Sequence, residues 1–168
     1  MLDPNDRIVV TGSAGLVGQN LVTLLREEGF ANIVAIDKHE ANLATQKRLH
    51  PGVDCVLADL AEHGSWEREF AGANVVVQLH AQIAGLSSEP FERNNIVATK
   101  NVLDVIHRMG RPFIVHASSS VVNSVVDDDH TGFDIARVFG FAPTHFRKAI
   151  EETYGHPVYS KVALESPH

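Results

Sequence analysis

The fold is decided by residues 7–18, which read RIVVTGSAGLVG. The first five of these residues are a run rich in β-branched side chains, which is typical of a strand buried on both faces of a parallel sheet. Three glycines follow, each three positions apart: Gly12, Gly15 and Gly18. We predict a tight turn at Gly12, close approach of a pyrophosphate at Gly15, and close packing of a helix on the strand at Gly18.

The residues after the glycines predict an amphipathic helix over residues 16–28. Leucines and valines recur at helical spacing from Val17 to Leu25, and Gly29 marks the end of the helix. The free N–H groups and the positive dipole end of this helix would face the bound anion. The sequence therefore predicts a dinucleotide-binding loop. Its candidate contacts are Thr11, Gly12, Ser13, Ala14, Gly15, Leu16, Val17 and Gly18.

An acidic residue, Asp37, ends the second apolar run and lies about 20 residues after the last glycine of the loop. A carboxylate at this place can accept hydrogen bonds from a ribose diol and would repel a 2′-phosphate. We therefore expect NAD to be the cofactor, with NADP less favoured. Lys38 follows directly, and because its charge would attract a phosphate it is a further candidate contact.

Strand and helix patterns alternate along the chain to about residue 120. The sequence predicts strands over 33–37, 53–58, 75–79 and 113–116, with helices over about 41–49, 65–70 and 91–109 between them. Strict alternation of this kind indicates an α/β fold, a Rossmann-type doubly wound parallel sheet with helices on both faces.

The composition limits the classes of function. The 168 residues suffice for one well-packed domain, and a net charge of −7 with scattered lysines and arginines argues against a nucleic-acid partner. We also expect no membrane association, because no apolar run approaches the roughly 18 residues that cross a bilayer. The single cysteine, Cys55, excludes an internal disulfide and favours a reducing compartment, so we expect a cytoplasmic protein.

The glycine spacing resembles that of the extended short-chain dehydrogenase/reductase superfamily. These oxidoreductases include the NAD-dependent epimerases and dehydratases, which act largely on nucleotide sugars. The resemblance covers about residues 7–120 and implies further cofactor contacts: at adenine, along the central ribose and nicotinamide, in the fourth helix, and after the fifth strand. The corresponding residues are Asp59 and Leu60; His80, Ala81 and Gln82; Asn95; and Ser118, with Ser120 at the position of the catalytic serine.

Each of these residues also has an ordinary structural interpretation. Asp59 could only cap or solvate the end of a strand, and His80 could be an ordinary histidine at a strand end. Asn95 could only bond to a bend in its helix. A serine triplet is often a polar loop, and its position after the fifth strand is what favours a catalytic Ser120.

The family's reaction requires a tyrosine four residues before a lysine on one helix. The lysine lowers the pKa of the phenol, which then exchanges a proton while hydride moves to or from nicotinamide. This sequence has no such pair, since Tyr154 and Tyr159 are followed four positions later by Val158 and Ala163. His130 is an alternative acid–base group.

The residues after the serines suggest how the sequence is divided. Residues 133–143 resemble the family's sixth strand and the loop after it, so the helix with tyrosine and lysine is expected to be absent near residue 130. We therefore expect an NAD(P)-binding domain over 1–143 and a remnant of the substrate-binding portion over 144–168.

Two functions follow from this division. In complete form the protein would transfer hydride reversibly on a nucleotide sugar or a similar alcohol or carbonyl substrate. The alternative is a catalytically silent nucleotide-binding module that senses or scaffolds, and a flavin- or adenosyl-binding domain fits the glycine spacing less well. The resemblance also makes the helix over 91–109 a candidate interface for a homodimer.

Overall fold

The computed structural model describes residues 2–84 and 86–117. Five parallel strands form one sheet in the order β3-β2-β1-β4-β5. The strands are β1 Ile8–Thr11, β2 Ile33–Asp37, β3 Asp54–Leu57, β4 Val75–Gln78 and β5 Phe113–His116. The helices are α1 Leu16–Glu27, α2 Glu40–Leu49, a 3₁₀ helix Ser65–Phe70, α3 Glu89–Phe91, a π-helical turn Glu92–Val97 and α4 Ala98–Met109.

The strand order places β1 at the centre of the sheet: β2 and β3 lie on one side of it, and β4 and β5 lie on the other. Ile8 is aligned with Ile33 of β2 on one side and with Val75 of β4 on the other. The chain winds first from β1 to β3 and then from β4 to β5, with helices in the connections. This arrangement confirms the predicted doubly wound parallel sheet, and it leaves a crevice between β1 and β4 at their carboxyl ends.

Helices cover both faces of the sheet. Each face carries apolar side chains, because alternate residues of each strand point to opposite sides. On one face, Val9, Val34 and Val76 pack with the 3₁₀ helix and α4, where Phe70 and Ile106 are almost fully buried. On the other face, the alternate strand residues pack with Val22 of α1. Burying each of these large apolar side chains stabilises the fold by about 1.5–3 kcal/mol.

The edge strand β5 is covered less completely than the central strands. Ile114 packs on the α4 side of the sheet, whereas Phe113 is 70% exposed and Val115 is 43% exposed. Among residues 2–84 and 86–117, nothing buries the side of β5 that carries Phe113 and Val115.

The helices differ from the sequence predictions in two details. The helix predicted over 91–109 contains the π turn Glu92–Val97, which the apolar spacing does not reveal. Val17 and Leu24 belong to the predicted apolar stripe of α1 but are 63% and 56% exposed, because α1 rests on the sheet through Gly18 and Val22 instead.

Several predicted features lie outside the described residues. They are Ser118, Ser120, His130, the missing tyrosine–lysine helix, the strand over 133–139 and the domain boundary at 143. Within the described part of the chain, none of the helices has the length and apolar character needed to cross a bilayer.

Candidate functional site

A cleft opens at the carboxyl ends of β1, β2 and β4, where open parallel sheets bind their ligands. Its wall contains both charged and apolar residues. They are Gly12, Gly15, Ile36, Asp37, Lys38, His39, Ala58, Asp59, Leu60, Leu79, His80, Ala81, Gln82, Asn94 and Ala98. The cleft wall thus includes predicted candidates from four segments of the sequence: Gly12, Gly15, Asp37, Lys38, Asp59, Leu60, His80, Ala81 and Gln82. The other described candidates do not line it: Thr11, Ser13, Ala14, Leu16, Val17, Gly18 and Asn95.

The glycine loop forms one end of this cleft. Gly12 has a φ of +69°, and a Cβ there would lie 2.5 Å from the backbone nitrogen of His80. A Cβ at Gly18 would collide with the carbonyl oxygen of Gly12, so α1 can start this close to β1 only without a side chain. A Cβ at Gly15 would meet only the Gly12 oxygen, at 3.3 Å, and would otherwise project into open space at the cleft.

The first turn of α1 faces the same space. Gly15 is the N-cap residue of α1 and has no side chain with which to cap the helix. The first N–H groups of a helix lack acceptors within the helix, and they carry the positive end of its dipole. The amino end of α1 is therefore suited to an anionic group lying over Gly15.

Asp37 is buried at the end of β2 and holds the glycine loop in place. Its Oδ2 accepts a hydrogen bond from the backbone N–H of Ala14 at 2.9 Å, and its Oδ1 accepts one from His39 at 2.9 Å. The sequence predicted a contact with ribose and did not reveal these two bonds. A carboxylate offers about four acceptor positions, so Asp37 can also receive hydroxyl groups from the cleft.

Asp59 and Leu60 lie beyond β3 on the far wall. The Asp59 carboxylate accepts hydrogen bonds at 2.9 Å from the backbone N–H of Ala61 and from Arg93, which also pairs with Glu62. Partial burial would raise the pKa of Asp59, but the Ala61 N–H and the Arg93 guanidinium outweigh it and lower the pKa. Asp59 is therefore charged at neutral pH and joined to the turn that follows α3.

His80 lies at the floor of the cleft, and both of its ring nitrogens are in contact with threonines. Nδ1 is 2.7 Å from Oγ1 of Thr11, and Nε2 is 3.3 Å from Oγ1 of Thr99. Burial lowers the pKa of His80 to about 4, assisted by the charges of His116 and Lys38. The neutral ring thus joins β1 to α4, which agrees with the structural interpretation of this histidine.

Asn95 clamps the segment that follows β4. Its Oδ1 accepts the N–H of Gln82 at 2.6 Å, and its Nδ2 donates to the carbonyl oxygen of Gln82 at 3.1 Å. The clamp comes from the π turn, a local irregularity that often accompanies functional sites. Asn95 therefore positions residues 81 and 82 beside the cleft through the backbone.

Asn94 is a cleft residue that no sequence pattern indicated. Its Oδ1 accepts a hydrogen bond from the Lys38 ammonium at 2.8 Å, and its Nδ2 donates to the Gln82 side chain at 3.0 Å. These bonds connect the end of β2 to the segment after β4. The only available signal was its place beside Asn95, because a contact across 56 residues depends on the fold.

A family model and solved structures can now be compared with this geometry. The model of the NAD dependent epimerase/dehydratase family matches residues 8–139. A solved UDP-galactose 4-epimerase is 32% identical over 74% of this chain, with a TM-score of 0.61.

Two more distant structures share the fold. One is a UDP-glucuronic acid 4-epimerase from Bacillus cereus in complex with UDP-glucuronic acid and NAD, 20% identical over 89% of this chain with a TM-score of 0.70. The other is a uronate dehydrogenase from Agrobacterium tumefaciens, 20% identical over 91% with a TM-score of 0.65. This chain spans 41% of the first of the three proteins, 53% of the second and 58% of the third.

Proposed function

This chain belongs to the NAD dependent epimerase/dehydratase family, and from that premise we propose that its cleft binds NAD. The observation that carries the proposal is the joining of three features in one wall: the open backbone at Gly15, the uncapped start of α1, and the Asp37 carboxylate. The first two suit a pyrophosphate, because an anion needs hydrogen-bond donors, and the carboxylate suits a ribose, which needs an acceptor.

Each part of the dinucleotide has a proposed position. The pyrophosphate lies over Gly15 and accepts hydrogen bonds from the first N–H groups of α1. The adenosine ribose bonds to Asp37, and adenine enters the slot between Ile36 and Leu60. The Asp59 carboxylate in the same wall accepts a hydrogen bond from the adenine amino group. Ala81 and Gln82 border the path toward the nicotinamide end, and Asn95 holds their backbone in place.

The buried carboxylate of Asp37 favours NAD over NADP. Its charge would face a 2′-phosphate at close range, and the bonds to Ala14 and His39 prevent it from turning away. Lys38 lies next to it, but its ammonium group is already bonded to Asn94. NADP is therefore the weaker ligand.

We further propose a reversible hydride transfer at this cofactor. Nicotinamide, when bound, supplies the hydride acceptor and donor. Ser120, which follows β5 in the sequence, would orient the reacting oxygen of a nucleotide sugar or a similar alcohol or carbonyl substrate, and Ser118 is a candidate contact of the cofactor. The three solved relatives act on UDP-linked sugars or uronate by their names, which supports this substrate class without selecting one.

A catalytically silent module is the second candidate, and a specific observation favours it. The 168 residues contain no tyrosine followed four positions later by lysine. Without a phenol of lowered pKa, the proton transfer that accompanies hydride transfer lacks the family's acid–base group. On this alternative the chain of 168 residues binds NAD but does not turn over a nucleotide sugar.

A calorimetric titration of the chain with NAD, ADP and adenosine tests the proposal. We expect saturable binding of NAD with a Kd below about 1 mM, similar binding of ADP, and much weaker binding of adenosine, because the pyrophosphate makes the bonds to α1. NADP should bind at least about tenfold more weakly than NAD. Absence of saturable NAD binding would refute the proposed function, and epimerisation of a UDP-sugar by this chain would refute the silent alternative.

Two further expectations remain proposals. The helix Ala98–Met109 with the turn before it is a candidate surface for a homodimer, which sedimentation of the chain would test. The single cysteine favours a reducing, cytoplasmic location.

A further inference from the structure

The two peptide groups at the turn of the glycine loop are surrounded by side chains from other elements. The carbonyl oxygen of Ser13 accepts a hydrogen bond from Nε2 of Gln46 at 2.9 Å. The carbonyl oxygen of Ala14 accepts bonds from Gln19 at 2.6 Å and from Asn42 at 3.3 Å. The N–H of Ala14 is held by Asp37, so α1, α2 and β2 together fix this part of the loop.

Gln46 differs from Gln19 and Asn42 because it is buried. It lies on α2 with 2% of its surface exposed, although the neighbouring buried position of that helix is the apolar Leu43. Its Oε1 has no hydrogen-bond partner among the described residues, and neither does Oγ of Ser13. A buried carboxamide that leaves one oxygen without a partner destabilises a helix–sheet contact, so packing alone would favour an apolar residue here.

The remaining bond of Gln46 has a direct consequence for an anionic ligand. A carbonyl oxygen carries a partial negative charge, and one turned toward a pyrophosphate would repel it. Nε2 of Gln46 and Nδ2 of Asn42, both on α2, hold the carbonyl oxygens of Ser13 and Ala14. An oxygen that accepts such a bond is held in place and is not free to turn toward an anion over Gly15.

We propose that Gln46 is a positioning residue for the pyrophosphate loop, with Asn42 as its weaker partner on the same helix. This inference rests on the proposed binding of NAD. Gln46 itself does not touch the cofactor. It acts through the Ser13 carbonyl group, and its contribution is specific for ligands that carry the pyrophosphate.

The test compares affinities for NAD and adenosine in Gln46→Met, Asn42→Ala and the control Thr45→Ala. Methionine has a similar volume and favours helices but cannot donate the hydrogen bond. Thr45 also donates a side-chain bond on α2, to Ala41 of its own helix and not to the loop. We expect Gln46→Met to weaken NAD binding about tenfold, the effect of about one lost hydrogen bond, and Asn42→Ala two- to threefold.

Adenosine affinity is the readout that separates positioning from folding. It should stay within about twofold in all three variants, because adenosine lacks the pyrophosphate, and Thr45→Ala should bind both ligands like the unchanged chain. Asn42 is exposed, so its variant decides the question even if Gln46→Met does not fold.

Two results overturn the inference. One is an equal loss of NAD and adenosine affinity in the folded variants, and the other is undiminished NAD affinity in both. Failure of the unchanged chain to bind NAD would instead overturn the proposed function itself.

Discussion

β1 and β5 are parallel strands of one sheet with the same length, but they end in different surroundings. All four residues of β1 are buried, and the strand continues into a loop held by side chains of α1, α2 and β2. In β5 every second residue is exposed, Phe113 to 70% and Val115 to 43%. The described residues therefore bury β1 on both sides, whereas they leave one side of β5 exposed.

The difference separates two parts of the proposed function. The cofactor end of the cleft is built from β1, β2 and the helices packed on them, all within the described residues. The reacting end would follow β5, where Ser120 is the candidate catalytic residue. On the proposed function, cofactor binding therefore depends on the described residues, whereas the chemistry would depend on residues that follow β5.

The largest effect is expected from replacing Gly18 by valine. The new side chain would collide with the carbonyl oxygens of Gly12 and Ser13, which belong to the backbone and cannot move aside. We expect a loss of about 3 kcal/mol or more in the free energy of unfolding, measured with urea, together with loss of NAD binding. Gly64→Ala is the control, because its Cβ would meet only the Trp66 ring at an ordinary 3.5 Å. A Gly18→Val variant as stable as this control would show that β1 and α1 are not in close contact.

Acidification should lower the free energy of unfolding through two buried histidines, one beside β1 and one on β5. Burial lowers the pKa of both His80, behind β1, and His116, on β5, to about 4, and the neighbouring charge of Lys38 also acts on His80. Between pH 6.5 and pH 4 the unfolded chain binds more protons than the folded one, so stability is complete above pH 6.5 and falls toward pH 4.

Each pKa unit corresponds to about 1.4 kcal/mol, so the lowered pKa of His80 gives a loss of about 3 kcal/mol by pH 4. Urea unfolding at a series of pH values measures the loss. In His80→Gln the slope between these pH values should decrease, because the glutamine does not titrate. An unchanged slope would mean that His80 has the same pKa in the folded and the unfolded chain.

Asp37→Asn should lower the affinity for NAD more than it lowers the stability of the fold. The amide can accept on one side only, so its nitrogen would face the N–H of either Ala14 or His39. We expect NAD affinity to fall about tenfold or somewhat more, since a bond to a charged acceptor contributes about 1.5–3 kcal/mol. The ratio of NADP to NAD affinity should rise as the negative charge is removed. Equal losses for both cofactors would contradict the assignment of Asp37 to the ribose.

The smallest effect is expected at the exposed side of β5. Phe113→Ser should change the free energy of unfolding by no more than about 0.5 kcal/mol, as exposed substitutions usually do. Ile114→Ala, on the packed side of the same strand, should cost about 2–5 kcal/mol. Chemical denaturation of both variants checks the pair. A large loss for Phe113→Ser would show that this side of β5 is buried in the chain, and the contrast with β1 would disappear.

The sequence predicted the sheet and the glycine loop because both depend on local signals. Continuous apolar runs mark the buried strands, and the three glycines occupy places where a side chain would collide or block the cleft. The π turn Glu92–Val97 and the bonds of Asn94, Asn42 and Gln46 could not be predicted in this way. The π turn has no mark in the apolar spacing. The bonds join residues far apart in the chain, and the polar side chains that make them have no spacing that distinguishes them from solvent-exposed ones.

The roles of single residues were predicted only in part. Asp37 was assigned to the ribose, but its bond to Ala14 depends on how closely β1 and β2 lie together. His80 was left between two interpretations, and its two threonine contacts, 19 and 69 residues away in sequence, show how the ring is held.

The central claim is that NAD binds with its pyrophosphate over Gly15, and titration of Gly15→Val by calorimetry tests it most directly. A side chain there enters the proposed ligand position while meeting only one backbone oxygen, at 3.3 Å, so the fold should persist. We predict that Gly15→Val unfolds like the unchanged chain within about 1 kcal/mol but binds NAD at least about a hundredfold more weakly, with the control Gly64→Ala unaffected. A folded Gly15→Val variant that binds NAD as tightly as the unchanged chain would contradict the account.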